Sequence, residues 1–183
     1  PYTLLLSVIE AASSQGIGAF LQPRIHAKTG MAGSFIGTGY NRTYWSNARS
    51  MARWGLLIQN NGVWNGDTIM PDQNYFQDMI TPSQNINNAY GYLWWLNGQS
   101  SFMLPESQFV FPGSLTPNAP MDAYAGLGAN DQIVCVAPSK NMVVIRMGEV
   151  ASGGLAPVIF FNEMWQYIND LENCTSSIVE RES

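Results

Sequence analysis

Charge is scarce in this chain of 183 residues: 11% are Asp, Glu, Lys or Arg, and the net charge is −5. No run of basic residues exists, so the electrostatic footprint that a nucleic acid needs is missing. Low charge beside 46% hydrophobic residues is the opposite of a disordered composition and calls for a large buried interior. No apolar stretch reaches the roughly 20 residues of a membrane-spanning helix. Histidine occurs once, at His26, and cysteine twice, at Cys135 and Cys174. With no cluster of the two, a zinc site is disfavoured and no metal or cofactor is expected. An initiating Met and a visible leader are also missing; a chain that opens on Pro1 is expected to be a fragment or a processed product.

What the chain does have is aromatic and β-branched residues arranged around 122–149. Gln132–Ala137 and Met142–Met147 are short apolar runs bracketing Pro138-Ser139-Lys140-Asn141, the pattern of a β-hairpin. Both runs are apolar at nearly every position, which predicts central strands covered on both faces. Gly126-Leu127-Gly128 precedes them and reads as a Gly-rich turn. Glycines there let a ligand approach backbone N–H groups, as an oxyanion site requires. A tight loop entering a strand is the plainer reading of the same residues. Cys135, inside the first run, reads as a core thiol.

Around this centre, periodicity predicts a helix over 2–13 with Leu4, Leu5, Val8, Ile9, Ala11 and Ala12 on its apolar face and Gly16 as its stop. A second short helix is expected over Ile17–Leu21, and a loop or short strand between Gly30 and Gly39. Ser46 or Asn47 can cap a helix carrying Met51, Trp54, Leu57 and Ile58, closed by Gly62. Val63–Asp67 reads as a turn, 72–79 as a short helix, and Tyr90–Trp95 as an aromatic strand. After Gly153-Gly154, a helix is expected with Ile159, Phe160, Met164, Tyr167, Ile168 and Leu171 facing the sheet. From Glu172 the chain reads as a polar tail that frays. No repeat and no second-domain boundary is visible. Helices, then antiparallel strands, then a closing helix give an α/β or α+β fold, an antiparallel sheet covered by helices.

Chemistry is harder to place. His26 has no Gly-x-Ser-x-Gly elbow to serve, so a Ser-His-Asp triad is disfavoured. Asp122 and Asp131 flank the Gly turn without spacing that assigns an acid–base pair. Asn41-Arg42-Thr43 and Asn173-Cys174-Thr175 fit glycosylation acceptors, which matter in a secreted eukaryotic protein. Lys28-Thr29-Gly30 matches one signature of penicillin-binding proteins and serine β-lactamases, but no Ser-x-x-Lys accompanies it and no strand of the hairpin type follows. Three residues match cheaply, and these read as a decoy.

Larger blocks carry a firmer likeness. Pro1–Glu10, Gln22–Met31, Tyr44–Ile58, the Asn65-Gly66 turn, Tyr90–Trp95 and the central hairpin with Gln132 and Pro138 fall in one order over residues 1–171. In that order they resemble the C-terminal half of the β-lactamase-related serine hydrolases. That group comprises class C β-lactamases, D-amino-acid peptidases, esterases and 6-aminohexanoate-dimer hydrolases. The resemblance implies a β-lactamase/transpeptidase-like fold, with residues 1–183 the C-terminal portion of a single domain and a polar tail from about 172. It implies a bacterial enzyme, exported or periplasmic, acting on a small-molecule amide or ester through an acyl-enzyme. The family's third motif falls on Tyr124-Ala125-Gly126, where its lysine is absent, which disfavours β-lactamase activity. The backbone N–H of Leu127 falls where the family has its second oxyanion donor, worth about 10²–10³ in rate. Tyr124, Ala125, Gly126 and Gly128 would then line the substrate, and Trp94 and Trp95 would form an aromatic rim. The nucleophilic Ser-x-x-Lys and the Tyr-x-Asn motif would lie upstream, in an N-terminal half that would be this chain's partner. A non-catalytic peptide- or cell-wall-binding module on the same fold is the alternative.

Overall fold

The computed structural model describes residues 2–37, 41–151 and 156–179, with side chains from Thr3 to Glu172 within those limits. Gly39, Gly153 and Gly154 lie outside the described residues, as does the side chain of Cys174. The chain forms two compact units, Pro1–Pro71 and Asp72–Ser183.

The first unit is mostly helical. Helix α1 covers Tyr2–Ser13 and ends where Ser14 turns left-handed (φ 52°). Gly16 is not the stop that sequence reading makes it; its backbone is extended and it caps α2, Ile17–Leu21. The buried positions of α1 are Thr3 and Leu6, while Leu4, Leu5 and Val8 stay exposed. Its most apolar stripe therefore faces away from the described core. Pro23 lacks the N–H that an α-helix interior needs, and the chain passes it in a wide π turn, Gln22–His26, before the short α3, Ala27–Thr29. Strands β1, Gly33–Ile36, and β2, Thr43–Ser46, then pair antiparallel; β2 was not legible in the sequence. Helix α4, Ala48–Gln59, starts where the Asn47 side chain accepts the Ser50 N–H at 2.9 Å. Asn65 and Gly66, both at positive φ, close a two-residue hairpin between β3, Val63–Trp64, and β4, Asp67–Thr68.

The second unit opens on α5, Gln73–Met79, capped by Asp72. It is built on a four-stranded antiparallel sheet of β5, Trp95–Leu96, β8, Tyr124–Gly128, β9, Gln132–Ala137, and β10, Met142–Arg146, in the order β10-β9-β8-β5. A separate two-stranded ribbon pairs β6, Ser101–Phe102, with β7, Phe111–Pro112. The β9–β10 hairpin forms as the apolar runs require, but β10 is an edge strand, half-buried throughout.

Helix α6, Val158–Val179, lies on one face of this sheet and continues well past Glu172, where a frayed tail is expected. The residues it presents are Phe161 and Trp165, fully buried against Ala123, Ala125, Ile133, Cys135 and Ala137. Small side chains on the sheet leave the space that two large rings fill. Ile159, Tyr167 and Leu171, which the helical stripe places on the sheet, are exposed instead; Phe160, Met164 and Ile168 pack at the margin of the core. The architecture is the mixed helix and antiparallel-sheet fold that the order of elements implies.

Candidate functional site

Gly126-Leu127-Gly128 is strand, not turn. All three residues pair with β9, Gly126 with Val134, Leu127 with Ile133 and Gly128 with Gln132. The turn follows them, at Ala129–Asp131, with Asn130 and Asp131 at positive φ. Glycine disfavours strands on its own, so the pairing with the strongly β-forming β9 decides the conformation here.

On its other edge β8 is covered only in part. Trp95 pairs with Ala125 and Leu96 with Tyr124, and the Asn97 N–H donates to the Ala123 carbonyl at 2.9 Å. Peptide groups along a strand point alternately to its two edges. The peptides of Ala123, Ala125 and Leu127 therefore all face the β5 side. Among the described strands none continues opposite Leu127, because the chain preceding Trp95 turns at Leu93, whose φ is 65°. Tyr90–Trp95 is accordingly a tight reversal closed by a Tyr90–Trp95 bridge and by Gly91 N–H to Trp94 carbonyl at 2.9 Å, not one strand. A Cβ built on Gly126 would meet nothing within 4 Å. The edge at Leu127 thus sits between two glycines, and at Gly126 the face of the strand is open.

The remaining expected site residues separate by face. Tyr124 is buried and meets Trp94 edge-on, ring centroids 5.4 Å apart. Burial pushes the Tyr124 hydroxyl up to about 12, with nearby Cys135 and Asp122 adding to the shift, so it stays protonated at neutral pH. Trp95 points to the opposite face, edge-on to Tyr90 at 4.9 Å and clustered with Leu115 and Val158. Trp94 and Trp95 are both buried, so they are core anchors on two sides of the sheet and do not meet in one rim. Ala125 is buried beneath α6.

Beside Trp95 lies a cavity of about 340 Å³ whose wall includes Ile86, Tyr90, Met103 and Leu104. Tyr90, Leu104 and Leu127 all pack on the Trp95 cluster, and of these Tyr90 and Leu104 line the space. Asn87 holds the wall in place, accepting the Met103 N–H at 3.1 Å and donating to the Met103 carbonyl at 3.2 Å. The sequence from 80 to 121 is rich in Asn, Ser, Pro and Gly outside the aromatic run. An Asn answering both backbone groups of a distant residue leaves no local pattern.

The other candidates have structural partners. Asp122 accepts the Ser139 N–H at 2.7 Å and the Ser139 hydroxyl at 2.8 Å, which clamps the β9–β10 turn. Asp131 is buried and accepts the Ala151 N–H at 2.6 Å. Gln132 bridges the β8–β9 turn to the end of β10 through the Asn130 and Gly148 carbonyls, both at 2.7 Å. Thr29 is buried at the end of α3, its hydroxyl donating to the Ile25 carbonyl, and Gly30 follows in a left-handed cap. Lys28-Thr29-Gly30 is therefore a helix terminus, and a hairpin strand does follow it, β1 at Gly33–Ile36. Cys135 is fully buried, and burial pushes its thiol up to about 12, which leaves no thiolate at neutral pH.

No protein-family model and no curated protein sequence matches the chain. Among solved structures it is similar to a Bacillus anthracis protein provisionally named a 6-aminohexanoate-dimer hydrolase. The TM-score is 0.66 at 19% identity, over 95% of this chain and 42% of that one. The likeness shows a β-lactamase-like fold, and the chain spans less than half the length of this structural neighbour.

Proposed function

We propose that this chain forms the oxyanion edge and one substrate wall of a serine hydrolase that cleaves an amide or ester through an acyl-enzyme. The observation that carries the reading is the Leu127 peptide, turned to the edge of β8 that β5 leaves uncovered and flanked by Gly126 and Gly128. In such a reaction a serine oxygen bonds to the substrate carbonyl carbon and the carbonyl π pair moves onto its oxygen. The Leu127 N–H would donate to that oxyanion. The serine proton passes through a lysine–tyrosine pair to the leaving amine or alcohol, whose bond to carbon breaks, and water then repeats the sequence on the acyl-enzyme.

The serine, lysine and tyrosine would come from Ser-x-x-Lys and Tyr-x-Asn motifs upstream of Pro1. Two observations support an upstream half as partner. The fold neighbour is more than twice as long as the part matched here, and α1 leaves Leu4, Leu5 and Val8 exposed on one stretch of helix. The cavity beside Trp95 would take a small apolar part of the substrate.

The test is labelling of the longer protein with a fluorophosphonate, followed by peptide mapping. An adduct on a serine N-terminal to Pro1 is the expected result. A protein that begins at Pro1 and takes no adduct overturns the catalytic reading and leaves the peptide- or cell-wall-binding module.

A further inference from the structure

The first unit holds a cavity for which the hydrolase reading has no use. Its volume is about 230 Å³. Six of its walls are apolar, Leu21, Ile25, Met31, Phe35, Met51 and Trp54. The other two are His26 and Tyr44, whose Nε2 and hydroxyl lie 2.9 Å apart. Among the described residues no Asp, Glu, Lys or Arg lines the space, so an ion entering it would give up part of its hydration without gaining an opposite charge from them. A resident water needs two to four polar partners, and one pair already bonded to itself serves water poorly. An enclosed apolar cavity of about 150 Å³ takes up benzene; this space is partly open to solvent and has room for a ring with a substituent.

The polar pair is held in place by the backbone. Tyr44 lies opposite Phe35 in the β1–β2 register, with the two rings edge-on at 5.2 Å. A Cβ on Gly33 would come within 2.6 Å of both Cζ and the hydroxyl oxygen of Tyr44. The phenol therefore rests across the bare face of Gly33, and that contact aims its hydroxyl at His26. The π turn that carries the chain past Pro23 supplies both Ile25 and His26. The Tyr44 hydroxyl also meets Ser46, whose own proton goes to the Ala32 carbonyl, so the Tyr44 proton is committed to His26 or to Ser46. In either arrangement the Tyr44 oxygen keeps a lone pair that can accept from a ligand.

We infer that this cavity is a binding site for a small neutral aromatic molecule, of phenol to indole size, whose single hydrogen-bonding group meets the His26–Tyr44 pair.

The experiment uses the chain labelled at its methionine methyl groups and followed by NMR, with phenol and benzene as probes. Two of the nine methionines, Met31 and Met51, line the cavity, while Met121 is exposed in the second unit. Saturable shifts confined to Met31 and Met51 are expected, with a dissociation constant for phenol of roughly millimolar order. Tyr44→Phe keeps the ring and removes the hydroxyl. It should weaken phenol about three- to tenfold and leave benzene unchanged. Absence of saturable shifts at Met31 and Met51, or equal shifts at Met121, overturns the site. Equal response of phenol and benzene to Tyr44→Phe overturns the role of the polar pair.

Discussion

Leu93 stands where a strand partner for Leu127 would be. The register that pairs Trp95 with Ala125 would set Leu93 opposite Leu127 if β5 ran two residues further toward its N-terminus. Instead Leu93 adopts a left-handed backbone, φ 65°, and takes the chain off the sheet. One left-handed residue thus leaves no described strand opposite the Leu127 peptide.

That strain is measurable. The left-handed region costs an L-residue with a Cβ about 1–2 kcal/mol, and Leu93 is 53% exposed, so little burial offsets it. Leu93→Asn keeps the turn with a side chain that tolerates this region. It is expected to raise stability by about 0.5–1 kcal/mol in urea unfolding. A loss of stability would mean that packing by the Leu93 side chain outweighs its backbone strain.

Gly126 separates fold from site. Since a Cβ there meets nothing within 4 Å, Gly126→Ala should fold normally and gain about 0.5 kcal/mol from a less flexible unfolded chain. The same methyl group would narrow the approach to the Leu127 N–H. In the longer protein fluorophosphonate labelling should slow about tenfold or more. Unchanged labelling with unchanged stability would detach this edge from the chemistry.

Asn97 is the residue that fixes the start of β8. It is buried, donates to the Thr116, Ala119 and Pro120 carbonyls at 3.0, 3.2 and 2.9 Å, and accepts the Thr116 N–H and the Ser114 hydroxyl at 3.0 and 2.6 Å. Asn97→Ala leaves these groups short of partners in a buried loop, for an expected loss of about 2–4 kcal/mol in urea unfolding. Asn97→Asp should be no better, because it turns a carboxylate oxygen toward three carbonyls.

Asn97 also marks what sequence could and could not disclose. The β9–β10 hairpin, the Asn47 cap and the Asn65-Gly66 turn rest on neighbours in sequence, and each formed where its local chemistry demands. Gly126–Gly128 became strand because β9 supplies the hydrogen bonds, a non-local reason that glycine hides. The aromatic run at Tyr90–Trp95 looked like a strand because nothing in Leu93 announces a left-handed turn. The stripe on α6 was misplaced for a related reason. Phe161 and Trp165 were chosen by the small residues facing them, not by the most continuous apolar line. The oxyanion edge entered through the family resemblance, and its openness through the turn at Leu93. The apolar cavity under Tyr44 depends on Gly33 and on an unrecognised strand, so it had no sequence signature at all.

The Glu10–Arg42 pair gives the first unit a defined response to acid. Arg42 meets Glu10 with both terminal nitrogens at 2.8 Å, and the Ile17 N–H donates to the same carboxylate at 3.0 Å. The Arg42 hydrogen bonds, joined by that of Ile17, hold the Glu10 carboxyl at about 2, well below its ordinary 4.5. A carboxyl depressed on folding stabilises the folded state above its unfolded pKa. That contribution fades as pH falls from about 4.5 and is gone below about 2. Glu10 joins the end of α1 to the start of α2 and to the segment before β2, so loosening should begin in these elements. Glu10→Gln should remove this part of the acid response, making stability flatter between pH 4.5 and 2 than in the parent chain. Arg42→Ala should return the Glu10 titration most of the way toward 4.5, read directly from the side-chain carboxyl by NMR. High salt should weaken the shift only in part, because two of the three contacts are the prongs of a bidentate pair with fixed geometry. A Glu10 that titrates near 4.5 in the parent chain would show that the pair does not persist in solution.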